Sequence, residues 1–305
     1  MGEDYPHTLM ELEQRFSDES ACRDYLFALR WPEGFVCPRC RGTTAWPTRR
    51  GLWICAGCRY QASVTTGTIF QDSKLPLTVW FRAMWHVTSQ KQGVSALGLQ
   101  RVLGLGSYKT AWAMLHKLRR AMVRPGRERL SGLVEVDETY WGAPERDVRG
   151  RQTHSKALIM VAAEADGAGI GRIRLRRISD TQRQTLHAFI AEAVEPGSTI
   201  QTDGLHGYGE LDGYVHDRRV KRYEPGGAES LLTRAHRVTS LLKRWLLGTH
   251  HGAIAHEHLD DYLNEFTFRF NRRTSASRGK LFYRLAQQAV QVEPATFDEL
   301  TNHNR

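Results

Sequence analysis

Apolar residues change their spacing several times along the chain, and the changes divide it into regions. From Pro76 to Met122 the pattern is helical. Pro76 stands at the first-turn position of an apolar segment, Leu77–Gln90, and Ser95–Leu103 predicts a second, shorter helix. Gly104-Leu105-Gly106 breaks the pattern, and a third helix from Ser107 places Ala111, Leu115, Leu118 and Met122 on one face. From Leu133 the period shortens. Residues 132–137 alternate apolar with polar and end on Asp137, Ala157–Ala163 is a continuous apolar run, and Ile170–Ile178 alternates aliphatic residues with arginine. A helix is predicted over Thr181–Val194 and a short strand over Thr199–Thr202, which delivers Asp203 into a Gly-Leu-His-Gly-Tyr loop. Further on, Leu259, Tyr262, Leu263 and Phe266 return to helical spacing and read as core.

Three helices with a glycine break before the last fit a helix-turn-helix, although a plain helical bundle has the same pattern. In the first arrangement Ser107, Tyr108, Lys109 and Thr110 lie nearest base edges in the major groove of DNA. Lys117, Arg119, Arg120, Arg124, Arg127 and Arg129 follow as candidates for phosphate contacts.

Composition sharpens this picture. The 305 residues carry 43 Lys+Arg against 33 Asp+Glu, a net +10, and the length suits about two domains. Residues 1–20 hold six acids against Arg15 alone, which leaves the remaining 285 residues at +15. That excess suits a polyanion or simply solubility. The longest apolar run is seven residues, far below the about 20 of a membrane span. The acidic start is unlike a secretory signal, so a cytoplasmic protein without a membrane partner is expected.

Four of the five cysteines form two pairs, Cys37-Pro-Arg-Cys40 and Cys55-Ala-Gly-Cys58, with fourteen residues between them. Each turn presents two thiolates to one tetrahedral ion, so Cys37, Cys40, Cys55 and Cys58 predict a zinc ribbon with structural Zn2+. Cys22 has no partner and is expected to be a small buried residue. Arg39, Arg41, Arg49, Arg50 and Arg59, with Trp46 and Trp53 among them, make the ribbon either a DNA-contacting surface or a solvated face over a small core.

The order strand, strand, strand, helix, strand sets Asp137 and Asp203 on the first and fourth strands. These are neighbours in an RNase H-like sheet, where carboxylates from both converge on Mg2+ or Mn2+. A lone aspartate is more often a turn or cap residue, and the placement at strand ends is what singles out this pair.

The segments FSDESACRDYLFALRWPEGFVCPRC, LGLGSYKTAWAMLHKLRRAM, VEVDETYWG, IQTDGLHGY and HRVTSLLKRWLLGTHHGAIAHEHLDDYLNEFTFRFNRR together resemble a bacterial insertion-sequence transposase of the DDE superfamily, in the subgroup with an N-terminal zinc ribbon. The resemblance implies a multidomain α+β chain. Its parts are a helical segment (1–30), a zinc ribbon (31–72), a helix-turn-helix-like module (73–125), an RNase H-like catalytic domain (130–290) and a tail (291–305). It also implies a DNA-associated, metal-dependent enzyme that binds double-stranded DNA at the inverted repeats of its element, cleaves there and joins the 3′-hydroxyl to target DNA as a homo-oligomer. Asp137 and Asp203 then become the first two catalytic acids, with the third metal position at the start of the SLLKRW helix.

Many relatives carry Glu or Asn seven residues before the lysine of that helix, here Lys243, whereas this chain has His236. A neutral imidazole offers one nitrogen where glutamate offers two anionic oxygens, which favours Mn2+ or weakens a second ion. Glu229 is the alternative third ligand. Lys243 is expected to hold a DNA phosphate, and Arg269, Arg272 and Arg273 add candidate DNA-facing charge, as do Arg172, Arg174, Arg176, Arg218, Arg219, Lys221 and Arg222. His250, His251, His256 and His258 are expected on loops and helix surfaces. Two other readings share these features: a catalytically inactive DNA-binding regulator and a structure-selective nuclease.

Overall fold

The computed structural model describes residues 3–124, 126–143, 155–220 and 231–301. The chain folds into two compact units, one of Met1–Arg124 with Thr274–Arg305 and one of Pro125–Arg273. A catalytic domain drawn to residue 290 therefore takes in a helix that packs in the first unit. No helix among the described residues is long and apolar enough to cross a membrane.

The first unit begins with α1 (Leu9–Arg15) and α2 (Glu19–Arg30). Asp18 starts α2 by accepting the amides of Ser20 and Ala21, two donors with no partner inside the helix. Then come β1 (Ala45–Pro47), β2 (Trp53–Cys55) and β3 (Gln61–Ala62), a small antiparallel sheet that carries the cysteine turns. Helices α3 (Leu77–Ser89), α4 (Ala96–Leu103) and α5 (Tyr108–Ala121) follow within a residue of their predicted limits. Gly104, at φ +64°, ends α4 in the left-handed region that the glycine break implied. Ser95 caps α4 through the Gly98 amide, whereas Ser107 occupies the cap position of α5 without a side-chain bond. From the far end of the sequence, α9 (Arg278–Ala289) packs on α2, α3 and α5. Phe282 enters an aromatic cluster with Phe16, Tyr25, Phe81 and Trp85.

The ribbon cysteines converge. Their sulfurs lie within 4.8 Å of one another, with Cys37 Sγ 3.7 Å from Cys58 Sγ and Cys40 Sγ 3.5 Å from Cys55 Sγ. A tetrahedral zinc with Zn–S of about 2.3 Å requires S···S edges of about 3.8 Å, so the cage fits the ion. The residue after each pair, Arg41 and Arg59, has positive φ and turns its amide back to the carbonyl of Cys37 or Cys55. Trp53 is half-buried, its ring stacked on Phe27 of α2 at 4.2 Å. Trp46 stays exposed with the Arg59 guanidinium over it. Cys22 is fully buried, and burial pushes its thiol up to about 12.

The second unit is a five-stranded mixed sheet. Its strands are β4 (Leu133–Trp141), β5 (Ala157–Asp166), β6 (Gly169–Ile178), β7 (Thr199–Thr202) and β8 (Val215–Arg218), in the order β6-β5-β4-β7-β8. The first three pair antiparallel, while β7 pairs parallel with β4 and β8 parallel with β7. This neighbour relation of first and fourth strands is the one expected of an RNase H-like sheet. Helix α6 (Arg183–Ala193) covers one face; α7 (Thr233–His250) and α8 (Leu259–Phe270) cover the other. Burial on both faces explains the unbroken apolar run of β5: Leu158, Met160 and Ala162 meet the α6 side, and Ile159, Val161 and Ala163 meet α7 and α8. Strand β8 escaped the sequence reading because four mostly polar residues, Val-His-Asp-Arg, have no apolar alternation. The open edge of β6 is covered by side chains following or on α8: Asn271 accepts from the Ile173 amide and Asp260 from that of Arg177.

Two outcomes follow for the first unit. Chelation of zinc should expose four thiols to alkylation and melt the ribbon, while Cys22 stays unlabelled until the helices unfold; mass spectrometry counts the adducts. Gly279, at the start of α9, lies where a Cβ would sit 1.7 Å from the Pro6 carbonyl oxygen. Gly279→Ala should therefore destabilise the unit by about 1–3 kcal/mol, read as a lower melting temperature.

Candidate active site

Parallel pairing of β4 with β7 sets the geometry. The ladder joins Leu133 to Thr199, Val134 to Ile200 and Glu135 to Gln201. Two residues further along each strand direction stand Asp137 and Asp203, level with one another across a spacing of about 4.8 Å between strands. Asp137 is not at a strand end as the sequence suggested, because β4 runs on to Trp141 and pairs Asp137 with Val161. Asp203 does lie just beyond β7, where its Oδ1 accepts the Leu205 amide at 2.8 Å and shapes the following turn. Carboxylate oxygens of Asp137, Glu138 and Asp203 all lie within 4.8 Å of one another. Such hard oxygen donors suit Mg2+ or Mn2+, so the residues fit the ion that the sequence implied.

Glu138 was missed by the sequence reading. It follows Asp137 directly, and alternation along a strand sends neighbours to opposite faces, which argued against a shared site. Its place is set by Tyr208, whose hydroxyl donates to Glu138 Oε2 at 3.0 Å. Burial and the negative charge of Glu138 push the Tyr208 phenol well above its ordinary range, so it remains a donor. Tyr208 closes the loop after Asp203, and Gly207 lets that loop pass close to the chain: a Cβ there would meet the Thr181 carbonyl oxygen at 2.4 Å. The Gly-x-x-Gly-Tyr spacing after Asp203 was the available signal.

Helix α7 brings His236 beside Asp137, while the group of oxygens lying within 4.8 Å of one another is that of Asp137, Glu138 and Asp203 without it. His236 Nε2 is 3.3 Å from Asp137 Oδ2, and this hydrogen bond raises the imidazole pKa despite partial burial. Lys243 lies two turns along α7 and is half-buried; burial, with the nearby charge of Lys156, lowers its pKa, while Asp137 opposes the shift. Glu229, the alternative third ligand, lies outside the described residues, as do Lys221 and Arg222.

The expected DNA-facing residues separate into two groups. Ser107, Tyr108 and Lys109 are exposed at the start of α5, with Thr110 partly so. The arginines are mostly engaged within their units. Arg119 is 1% exposed beside His116, which corrects its reading as a phosphate contact. Arg172 pairs with Glu164, Arg174 donates to the carbonyls of Ile173 and Glu128, and Arg176 and Arg219 pair with Glu192 and Asp217. Arg218 donates to the Gly204 carbonyl. Arg269 is turned inward to Glu265, which is fully buried. Arg272 donates to the Phe268 carbonyl and lies over its ring, and Arg273 holds the carbonyls of Ile170, Gly171 and Phe270. His250, partly exposed at the end of α7, packs edge-on against Trp245 and Tyr262.

Residues 17–61 match the transposase zinc-ribbon domain family, and residues 129–271 match the ISXO2-like transposase domain family of IS1595 elements. A protein in the transposable element ISH50 of Halobacterium salinarum is 28% identical over 279 residues, spanning 83% of this chain and 91% of that protein. Among solved structures, the catalytic core domain of BIV integrase is similar at 18% identity and a TM-score of 0.30, over 44% of this chain and 81% of that one. A simian T-cell lymphotropic virus intasome in complex with the PP2A regulatory subunit B56 gamma matches at 15% identity and a TM-score of 0.29, over 62% of this chain and 72% of that one. Ribbon and acid-bearing sheet occur here in the order and at the positions of the two matched domains, and the chain belongs to the DDE-superfamily insertion-sequence transposases with an N-terminal zinc ribbon.

Proposed function

We propose that this transposase binds the inverted-repeat ends of its element, cuts there and joins the freed 3′-hydroxyl to target DNA. The observation that carries the reading is the convergence of carboxylate oxygens of Asp137, Glu138 and Asp203 to within 4.8 Å of one another, with Asp137 on β4 and Asp203 just beyond its parallel neighbour β7. Asp137, Asp203 and His236 would hold Mg2+ or Mn2+, with Glu138 as a further oxygen donor that offsets the neutral imidazole. Divalent ions held there lower the barrier to attack at phosphorus by stabilising negative charge on the entering and leaving oxygens.

In the first step water forms a new P–O bond as the bond to the 3′ oxygen breaks, leaving a 3′-hydroxyl and a 5′-phosphate. In the second, that hydroxyl attacks a target phosphodiester and releases a target 3′-hydroxyl in turn. Both are in-line displacements at one site, and neither needs a covalent enzyme intermediate. Lys243 would hold a DNA phosphate beside the acids. Ser107, Tyr108, Lys109 and Thr110 would meet base edges, with the ribbon arginines on the backbone. Two element ends acting together call for a homo-oligomer on DNA.

Oligonucleotides carrying an element end test this. Asp137→Ala and Asp203→Ala should each lower cutting about a hundredfold or more, equivalent to about 3 kcal/mol, with end binding unchanged. Equal cutting by the variants would mean that other acids do the chemistry; binding by the wild-type protein with no nicking in Mg2+ or Mn2+ would favour a DNA-binding regulator. End binding itself should weaken about 10³-fold or more between 50 and 200 mM salt, measured by fluorescence anisotropy, and should not require the divalent ion.

A further inference from the structure

Helix α7 starts without a cap of its own. Its N-cap residue, Leu232, sits in the left-handed region at φ +44° and has no side chain able to accept a hydrogen bond. The first intrahelical bond runs from the His236 amide to the Leu232 carbonyl, which leaves earlier amides in need of acceptors. The acceptor comes from another element, 99 residues earlier in sequence. Glu135 of β4 accepts the Arg234 amide at 2.7 Å and the Ala235 amide at 2.9 Å through Oε2, and the Arg234 guanidinium at 2.8 Å through Oε1. Arg234 extends the tie to the carbonyls of Gly167 and Gly169, in the turn between β5 and β6.

Glu135 is 2% exposed, and a carboxylate buried to that degree is costly unless its charge is matched. Here both oxygens are occupied by donors, one of them cationic, at the positive end of a helix. Alternation along β4 then gives the arrangement its use. Glu135 and Asp137 share the face that α7 covers, and they engage successive residues of the helix: Glu135 takes Arg234 and Ala235, and Asp137 takes His236.

We propose that Glu135 is a positioning residue of the active site, capping α7 from β4 so that His236 stands against Asp137 without Glu135 itself touching the ion or the DNA. This rests on the reading of Asp137 and His236 as metal ligands. Among the described residues, packing of Ala235, Val238 and Leu242 on the sheet resists separation of the helix more than its rotation or sliding. A carboxylate that grips two consecutive amides and the side chain of one of them resists both.

The test uses the full-length, zinc-loaded protein and Mn2+ binding followed by electron paramagnetic resonance, with no DNA present. Glu135→Gln keeps one acceptor oxygen but replaces the other with an amide that faces Arg234. It should weaken Mn2+ binding about tenfold and speed hydrogen exchange at the Arg234 and Ala235 amides. His236→Ala should weaken Mn2+ binding as well, and adding Glu135→Gln to it should cause no further loss, because the glutamate acts through the histidine. Should Glu135→Gln fail to fold, Arg234→Lys, which keeps the charge but loses the fork, should weaken binding in the same direction and be absorbed in the same way by His236→Ala. Wild-type Mn2+ affinity in Glu135→Gln, or losses that add in the double variant, would overturn the proposal. Asp137→Ala serves as the control: if it binds Mn2+ as the wild type does, the metal-site reading fails and this proposal with it. Loss in Asp137→Ala with retention in Glu135→Gln overturns the positioning role alone.

Discussion

Everything in the catalytic unit depends on one pairing, that of β7 with β4 in parallel. A parallel neighbour cannot be reached by a tight turn, so the chain must cross over the sheet, and α6 with its apolar face is the crossover. The other side of β4 is taken by the antiparallel β5 and β6, which leaves β4 central and buried on both faces. Its three acids are each held by a defined partner: Glu135 by α7, Asp137 by His236, Glu138 by Tyr208. β7 ends at Thr202 while β4 continues to Trp141, so the chain leaves the ladder beside Asp137. Asp203 and its loop follow there, and Tyr208 of that loop bonds Glu138 while Asp203 approaches both Asp137 and Glu138.

The distribution of charge follows a related logic. A net +10 suggests a generally basic surface, yet many arginines of the catalytic unit satisfy carbonyls and carboxylates within it. Arginine suits this use because its planar fork bridges two acceptors at once and stays charged when partly desolvated. Glu164 illustrates the effect. Burial alone would raise its pKa, but Arg172 and the amides of Ser131 and Arg172 bring it down to about 2. Guanidiniums held in this way are less available to a phosphate than the composition implies, whereas Lys109 is exposed at the start of α5 and Lys243 is half-buried on α7.

What was legible in the sequence was local. The cysteine turns fix four ligands by spacing, and helices α3, α4 and α5 follow from apolar periodicity and one glycine break. Asp137 and Asp203 were found because strand order implies adjacency even when contacts are unseen. The misses share a long-range cause. Glu135 looked like an ordinary polar position in an alternating strand, since its partners lie about a hundred residues later. The catalytic domain that the resemblance drew to residue 290 takes in helix α9, which packs instead on α2, α3 and α5. Arg119 and Arg269 were counted as surface charge because a charge census contains no burial.

The proposed role of His236 as the third metal ligand connects such long-range structure to chemistry. A glutamate at that position would bring its own negative charge to the ion and could reach it from more than one helix register, having two oxygens and three rotatable bonds. An imidazole has one usable nitrogen on a shorter, rigid stem, so its donor must be placed by the backbone that carries it. A chain with histidine there depends more strongly on where α7 begins and how it is rotated. The buried Glu135 cap and the Arg234 tie supply that definition, and Glu138, held by Tyr208, supplies an anionic oxygen that the imidazole lacks. On that proposal the two demands made by a neutral third position, an extra anionic oxygen and a fixed helix start, fall to two residues of one strand, Glu138 and Glu135.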